Sequence, residues 1–227
     1  RQAFAERQRL AALGEAVAKI NHDLRNVLAS AQLISDRLAT SRDERVAAMG
    51  ARLVRAIDRG VRLCQDTLNY GGMRESPARM EPVPLTPALD DAAGDAFAAV
   101  GAAEWINRVD PALRVTADPD HLHRIFLNLF RNAVQAMEGH AAARLSLDAR
   151  TDGDLIHVDV GDNGPGVPET AAASLFKPFG VSTRKGGTGL GLSIARELAR
   201  ELGGEISLYA NSPAGAVFRV SLKRVAD

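Results

Sequence analysis

Several things are scarce in this chain of 227 residues. Cys64 is its one cysteine, which excludes a disulfide framework and a cysteine-built zinc site. Neither sign of charge is in excess. The 28 Lys and Arg balance 28 Asp and Glu, so a general nucleic-acid binder, which needs a basic surface, is not expected. No run of about eighteen apolar residues is present, and no charged start followed by an apolar stretch and a cleavage site. No membrane segment is therefore expected, and a soluble, cytoplasmic setting is the default. Aromatics make up 4% of the residues, but 46% are hydrophobic, enough for real cores. At about 150 residues per domain, the length suggests between one and two domains. The chain opens on Arg1 rather than Met, which reads as a fragment of something longer.

Proline is missing from one half only. All ten prolines follow Gly71-Gly72, and before that point Ala, Leu, Arg and Glu dominate. Charge divides at the same place: residues 1–74 carry 13 basic and 8 acidic side chains, a net of +5, and the remainder 15 and 20, a net of −5. These shifts predict a helical domain over 1–74, a linker over 75–80 and a second domain over 81–227.

In the first half, Leu10, Leu13, Val17, Ile20, Leu24, Val27, Ala31, Ile34 and Leu38 follow one another in steps of three and four, the seam of a helix in a coiled coil or bundle. Ser41 or Asp43 is placed to cap a second helix, with Val46, Met49, Leu53, Ile57, Val61, Cys64 and Leu68 as its inner stripe. The pair forms an antiparallel hairpin. One hairpin cannot bury both stripes, so a homodimeric four-helix bundle is predicted, with docking on the chain's own second half as the competitor. In this register His22 takes the heptad position farthest from the seam. An exposed histidine is ordinarily just solvated, but Asp23 can fix its tautomer and accept its proton, and Asn26 can orient a water or phosphoryl oxygen.

In the second half, the residues predict a helix over 86–100, strands over 105–109 and 113–116, and a helix from Pro119 to about Glu138 with Asp118 as N-cap. That helix buries Leu122, Ile125, Phe126, Leu129, Ala133 and Met137. Its other side carries Arg124, Asn128, Arg131, Asn132 and Gln135, with the two asparagines facing the same way at i, i+4. Strands follow over 144–149 and 155–160. The second runs into Gly161-Asp162-Asn163-Gly164-Pro165-Gly166, where a carboxylate could accept from an exocyclic amine while glycines admit a flat ring. The loop lacks the ligand pattern of an EF-hand. Finally, Gly186-Gly187-Thr188-Gly189-Leu190-Gly191 opens a helix to about Leu202, and a helix N-terminus behind glycines suits phosphates. It is neither a dinucleotide fingerprint nor a Walker loop.

In this order the motifs resemble the core of a bacterial sensor histidine kinase. His22-Asp23-Leu24-Arg25-Asn26 is similar to the phosphoacceptor box and Asn128-Leu-Phe-Arg-Asn132-Ala to the asparagine box. Asp162-Asn-Gly-Pro-Gly166 and Gly187-Thr-Gly-Leu-Gly191 resemble the two glycine boxes, and Phe176-Lys-Pro-Phe179 the phenylalanine box. The resemblance spans residues 10 to 222. It implies a dimeric helical hairpin followed by an α/β two-layer sandwich of the gyrase, Hsp90 and MutL type, with ATP and Mg2+ as cofactors. His22 would attack the γ-phosphorus, Asp23 would act as its base, and Asn26 would support dephosphorylation of a response regulator's receiver domain. Asn132 would bind magnesium, with Asn128 near the phosphates. Asp162 would accept the adenine amine, bordered by Gly164 and Gly166. Lys177, Gly187, Thr188, Gly189, Leu190 and Gly191 would border the triphosphate, and Thr183, Arg184 and Lys185 would be phosphate contacts from a short nucleotide lid.

Some positions depart from the family. Val27 stands where many members have a proline, so the helix below His22 loses a kink-maker. Gln135 replaces a common lysine, leaving Arg131 or the lid to supply positive charge. Two other readings remain: a non-kinase ATPase of the same fold, which leaves His22 beside Asp23 unexplained, and a phosphotransfer or dimerisation scaffold without ATP binding, which leaves Asn132, Asp162 and the glycine boxes unexplained.

Overall fold

The structure, a computed structural model, describes residues 78–101, 103–178 and 189–225, and in the first half residues 31, 35, 38, 40, 41, 43, 45–50, 52–54, 56, 57 and 60. The main division into compact units falls between Ser76 and Pro77.

In the first unit, residues 45–50 and 52–54 are helical. Of the two expected caps, Asp43 is the one used: its Oδ1 accepts from the backbone N–H of Arg45 at 2.8 Å and of Val46 at 3.3 Å. Ser41 instead supports Asp43, its Oγ accepting the Asp43 N–H at 3.2 Å. Of the described stripe residues, Ile57 is buried, whereas Leu38, Met49 and Leu53 are 38%, 70% and 44% exposed in the single chain. The first stripe before Ala31 and the second from Val61 on lie outside the described residues.

The second unit runs β1 (Glu81–Pro84), α1 (Leu85–Val100), β2 (Glu104–Asn107), β3 (Arg114–Ala117), α2 (Pro119–Ala136), β4 (Arg144–Asp152), β5 (Leu155–Asp162), α3 (Glu169–Ala172), α4 (Gly191–Glu201), β6 (Glu205–Ser212) and β7 (Gly215–Lys223). β1 and β3 pair antiparallel as a small ribbon. The other five form a sheet in the order β2-β4-β5-β7-β6, mixed because β2 runs parallel to β4 while every other pair is antiparallel. Alternation decides which face is covered. Leu145, Leu147, Ile156, Val158, Val160, Phe218, Val220 and Leu222 are buried beneath the helices. On the opposite face Arg219 forks onto Asp159 at 2.6 and 2.7 Å, and Arg108 onto Asp148 at 2.8 and 2.6 Å. These pairs matter because Asp148 and Asp159 are cross-strand neighbours, and like charges so placed repel.

The predicted two-layer α/β sandwich is what this unit forms. α2 packs between α1 and α4, so its buried arc is wider than the sequence suggests and takes in Phe130 and Val134 as well. β2 stops short of the expected Val109 because the Asn107 side chain accepts the Val109 N–H at 3.1 Å, turning the chain out of the sheet. β6 and β7 are strands that the sequence reading does not contain. Among the described residues no helix is long and apolar enough to cross a membrane.

Candidate functional site

Three elements build the site, beginning with α2. Asp118 starts it: Oδ1 accepts from Asp120 N–H at 3.0 Å and His121 N–H at 3.1 Å, while Oδ2 accepts from the Arg79 backbone at 2.8 Å. Partial burial pushes this carboxyl up, but the hydrogen bonds from Arg79 and His121, the His121 charge and the Asp120 bond together hold it below the usual carboxylate value. With the start fixed, the helical period turns Arg124, Asn128, Arg131, Asn132 and Gln135 onto one arc. All five are half-buried rather than lying on an open solvent face. Burial also lowers the Arg124 guanidinium below its ordinary value against the pull of Glu201 and Asp120. The buried Arg131 Nε has no hydrogen-bond partner among the described residues.

The second element is β5, which Asp162 ends. Its Oδ1 accepts the Gly164 N–H at 2.9 Å and the Ala216 N–H at 3.4 Å, so the carboxylate is held by its own turn and by β7. A Cβ on Gly164 would stand 3.0 Å from Asp162 Oδ1 and 3.2 Å from the Ala136 carbonyl at the end of α2. Gly166 has φ +73, and a Cβ there would overlap the Ser212 carbonyl oxygen.

Two asparagines that the motif reading passes over hold this loop. Asn211 brackets Val167, accepting its N–H at 2.8 Å and donating to its carbonyl at 2.7 Å. Asn163 accepts the Arg144 N–H at 2.8 Å and donates to the Ala142 carbonyl at 2.7 Å. The only local sign of either is an asparagine beside a turn.

The third element is the start of α4. Gly189 has φ +68, and the helix proper opens at Gly191, later than the glycine run suggests. Among the described residues no side chain caps this end, and its first turn carries no acid. The Leu190 side chain is wholly buried, and its carbonyl accepts from Ser193 Oγ at 2.8 Å and Ile194 N–H at 2.9 Å. Leu190 could therefore meet a ligand only through its backbone. A Cβ on Gly191 would come 3.4 Å from Asn128 Oδ1, so the helix end and the amide are neighbours.

Of the residues singled out from sequence, Asn128 thus meets Gly191, and Asp162 meets Gly164 near the end of α2. Asn132 falls one turn from Asn128 and one from Ala136, between the two meeting points. Lys177 is exposed in the turn after α3. His22, Asp23 and Asn26, and Thr183, Arg184, Lys185, Gly187 and Thr188, lie outside the described residues. Chemically, the group offers a carboxylate with glycine beside it at one end, and an uncapped helix start beside an amide at the other. A planar amine-bearing base and an anion suit those two ends.

Comparisons with known proteins agree with this chemistry. Residues 117–226 match the family described as histidine kinase-, DNA gyrase B-, and HSP90-like ATPase. The chain is 35% identical over 218 residues to the sensory histidine kinase/phosphatase NtrB of Rhodobacter capsulatus, covering 88% of this chain and 59% of that protein. It is 29% identical over 228 residues to the sensor histidine kinase ZraS of Klebsiella oxytoca, covering 96% and 47%. It thus spans about half the length of these relatives. Among solved structures, full-length ShkA in complex with AMPPNP is 25% identical with a TM-score of 0.69, over 94% of this chain and 46% of that one. The mycobacterial sensor histidine kinase MprB shares the fold at 24% identity and a TM-score of 0.57, over 65% of this chain and 100% of that one. Residues 117–226 therefore belong to the ATPase family that histidine kinases share with DNA gyrase B and HSP90, and the relatives that this chain resembles over most of its length are named as sensor histidine kinases.

Proposed function

We propose that this chain is the core of an autokinase that moves the γ-phosphoryl group of ATP to His22 and then to an aspartate of a response regulator's receiver domain. The observation that carries the proposal is the pairing of two ends in one domain: Asp162 at the close of β5, and the uncapped start of α4 against Asn128. Adenine is read at the first end by the Asp162 carboxylate, with Gly164 and Gly166 beside it. The phosphates lie toward Gly189, Gly191 and Asn128, with Arg131, Lys177, Thr183, Arg184, Lys185, Gly187 and Thr188 as further contacts.

Among the described residues no group of three or more His, Cys, Asp or Glu could hold a metal by itself. Magnesium needs no such group, since it is commonly bound through one or two protein ligands and the substrate's phosphates. Asn132 would offer its amide oxygen, and the bound ion would neutralise phosphate charge. The chain's own residues do the rest: Asp23 takes the proton from the His22 ring, leaving the other ring nitrogen to attack in line, and Asn26 supports dephosphorylation of the regulator. The helical hairpin dimerises through its stripes, a reading supported by Leu38, Met49 and Leu53, which stand exposed in the single chain.

Incubation with γ-labelled ATP and magnesium tests the reading. The expected result is an acid-labile, alkali-stable label on the chain that is lost in His22→Ala. Hydrolysis of ATP with no labelled protein would leave a non-kinase ATPase as the answer. In Asn26→Ala, loss of phosphate from the regulator should slow while self-labelling is spared; an unchanged dephosphorylation rate would remove Asn26 from that role.

A further inference from the structure

One cluster close to the site has no part in the reading above. At the start of β6, the Glu205 carboxylate accepts from Arg196 Nε at 2.7 Å through Oε1 and from Arg200 Nε and Nη2, both at 3.1 Å, through Oε2. The two arginines are one turn apart on α4, so a single carboxylate ties the helix to the sheet edge. Partial burial pushes Glu205 up, yet the Arg196 hydrogen bond, the Ile206 N–H, the Arg200 bond and the Arg196 charge outweigh it and hold the carboxyl below its ordinary value.

Both arginines anchor α4 to β6 through Glu205. Arg196 does something Arg200 does not. With Nε committed to Glu205, its guanidinium lies 4.8 Å from the centre of the Phe176 ring, within cation–π range. Phe176 in turn meets Phe218 of β7 edge-to-face at 6.4 Å, so the ring is held between helix and sheet. Arg196 comes five residues after Gly191, about 7.5 Å along the helix axis. Arg196 thereby fastens Phe176, which the exposed Lys177 follows, to the second turn of the helix whose start faces Asn128.

We infer that Arg196 is a positioning residue for the phosphates of the bound nucleotide, acting through its contact with Phe176 rather than by touching the ligand. The inference rests on the nucleotide reading of the site. It gives that reading a division of labour: Asp162 and its turn hold the base, and the Glu205–Arg196–Phe176 chain sets the chain beside the phosphates. A purely structural brace would serve both ends alike, whereas a positioning role affects only ligands that carry phosphates.

Calorimetric titration of the 227-residue chain with Mg-ATP and with adenosine separates the two. Arg196→Gln and Phe176→Leu should each weaken ATP about five-fold while leaving adenosine within about two-fold. The double variant should lose no more than the worse single one, as expected for two partners in one contact. Arg196→Lys, which keeps a cation over the ring, should retain most of the affinity. Parallel loss of ATP and adenosine in these variants, no loss in either, or additive losses in the double variant would overturn the role of Arg196. A wild-type chain that bound neither ligand would overturn the nucleotide reading itself, so the two failures are distinguishable.

Discussion

Two helices of the ATP-binding domain begin in opposite ways. At α2 the chain supplies its own anion: Asp118 accepts from two first-turn N–H groups, and Pro119 follows in the position that lacks a donor. At α4 nothing of the kind is present among the described residues. A leucine precedes the helix, glycine opens it, and no side chain caps it. Both ends carry the same positive dipole, and the first-turn N–H groups of each have no partner within the helix. One is closed from within and serves stability; the other is the end at which we propose that the phosphates bind. A glycine-rich helix start is therefore informative when set against a well-capped helix in the same domain.

The contrast can be broken most forcefully at α4. Gly191→Asp would place a carboxylate in its first turn, where a Cβ meets Asn128 Oδ1 at an ordinary 3.4 Å. ATP affinity should fall by at least about ten-fold through charge repulsion, with the melting temperature kept or raised, since a first-turn acid favours the helix. Calorimetry and a thermal melt on one sample check both halves; undiminished ATP binding would mean that this helix end seats no anion.

At α2 the effect should be on stability instead. Asp118→Ala removes the cap and the tie to Arg79, costing about 1–2 kcal/mol and lowering the melting temperature by about 2–8 °C. Nucleotide affinity at a temperature where the variant is folded should stay near that of the parent chain. A large fall would show that the cap shapes the site as well as the fold.

The smallest effect belongs to Asp118→Asn. Asparagine caps about as well as aspartate, so neutral-pH stability should change by only a few tenths of a kcal/mol. Acid should separate the two chains. Because the folded carboxyl lies below its ordinary 3.8, its contribution is present above that pH and lost as pH falls through the folded value. The asparagine variant, having no such group, should lose less stability between pH 5 and pH 3, as urea midpoints at about those values would show.

How far the sequence reveals this molecule depends on how local each signal is. α2 is readable because its cap, its proline and its buried stripe lie within about twenty residues, and β5 because Ile156, Val158 and Val160 alternate into the core. β6 and β7 are absent from the sequence reading for different reasons. β6 is an edge strand with one fully buried residue and a bulge between Leu208 and Ala210, so its pattern is faint. β7 alternates as clearly as β5, but its start depends on seeing Ser212 to Gly215 as a hairpin turn. At the site, Asn128, Asp162, Gly164 and Gly191 can be named from motifs. The bracing parts of Asn163, which sits inside a glycine-box motif, and of Asn211 cannot, because their partners lie 19 to 44 residues away and only the folded sheet brings them together. Arg196 is hidden likewise: its two contacts, Phe176 and Glu205, lie on opposite sides of it in the chain.

The place of Asp162 in the sheet has a consequence for how the domain comes apart. β5 is the middle strand of five, bonded to β4 on one side and β7 on the other. Gly161, just before the carboxylate, pairs with both Ser146 and Val217. In deuterium exchange such central-strand amides are expected to be among the last to open. The residue proposed to recognise the base thus follows directly on a strand position held from both sides, and base recognition should outlast the opening of the sheet's edge strands.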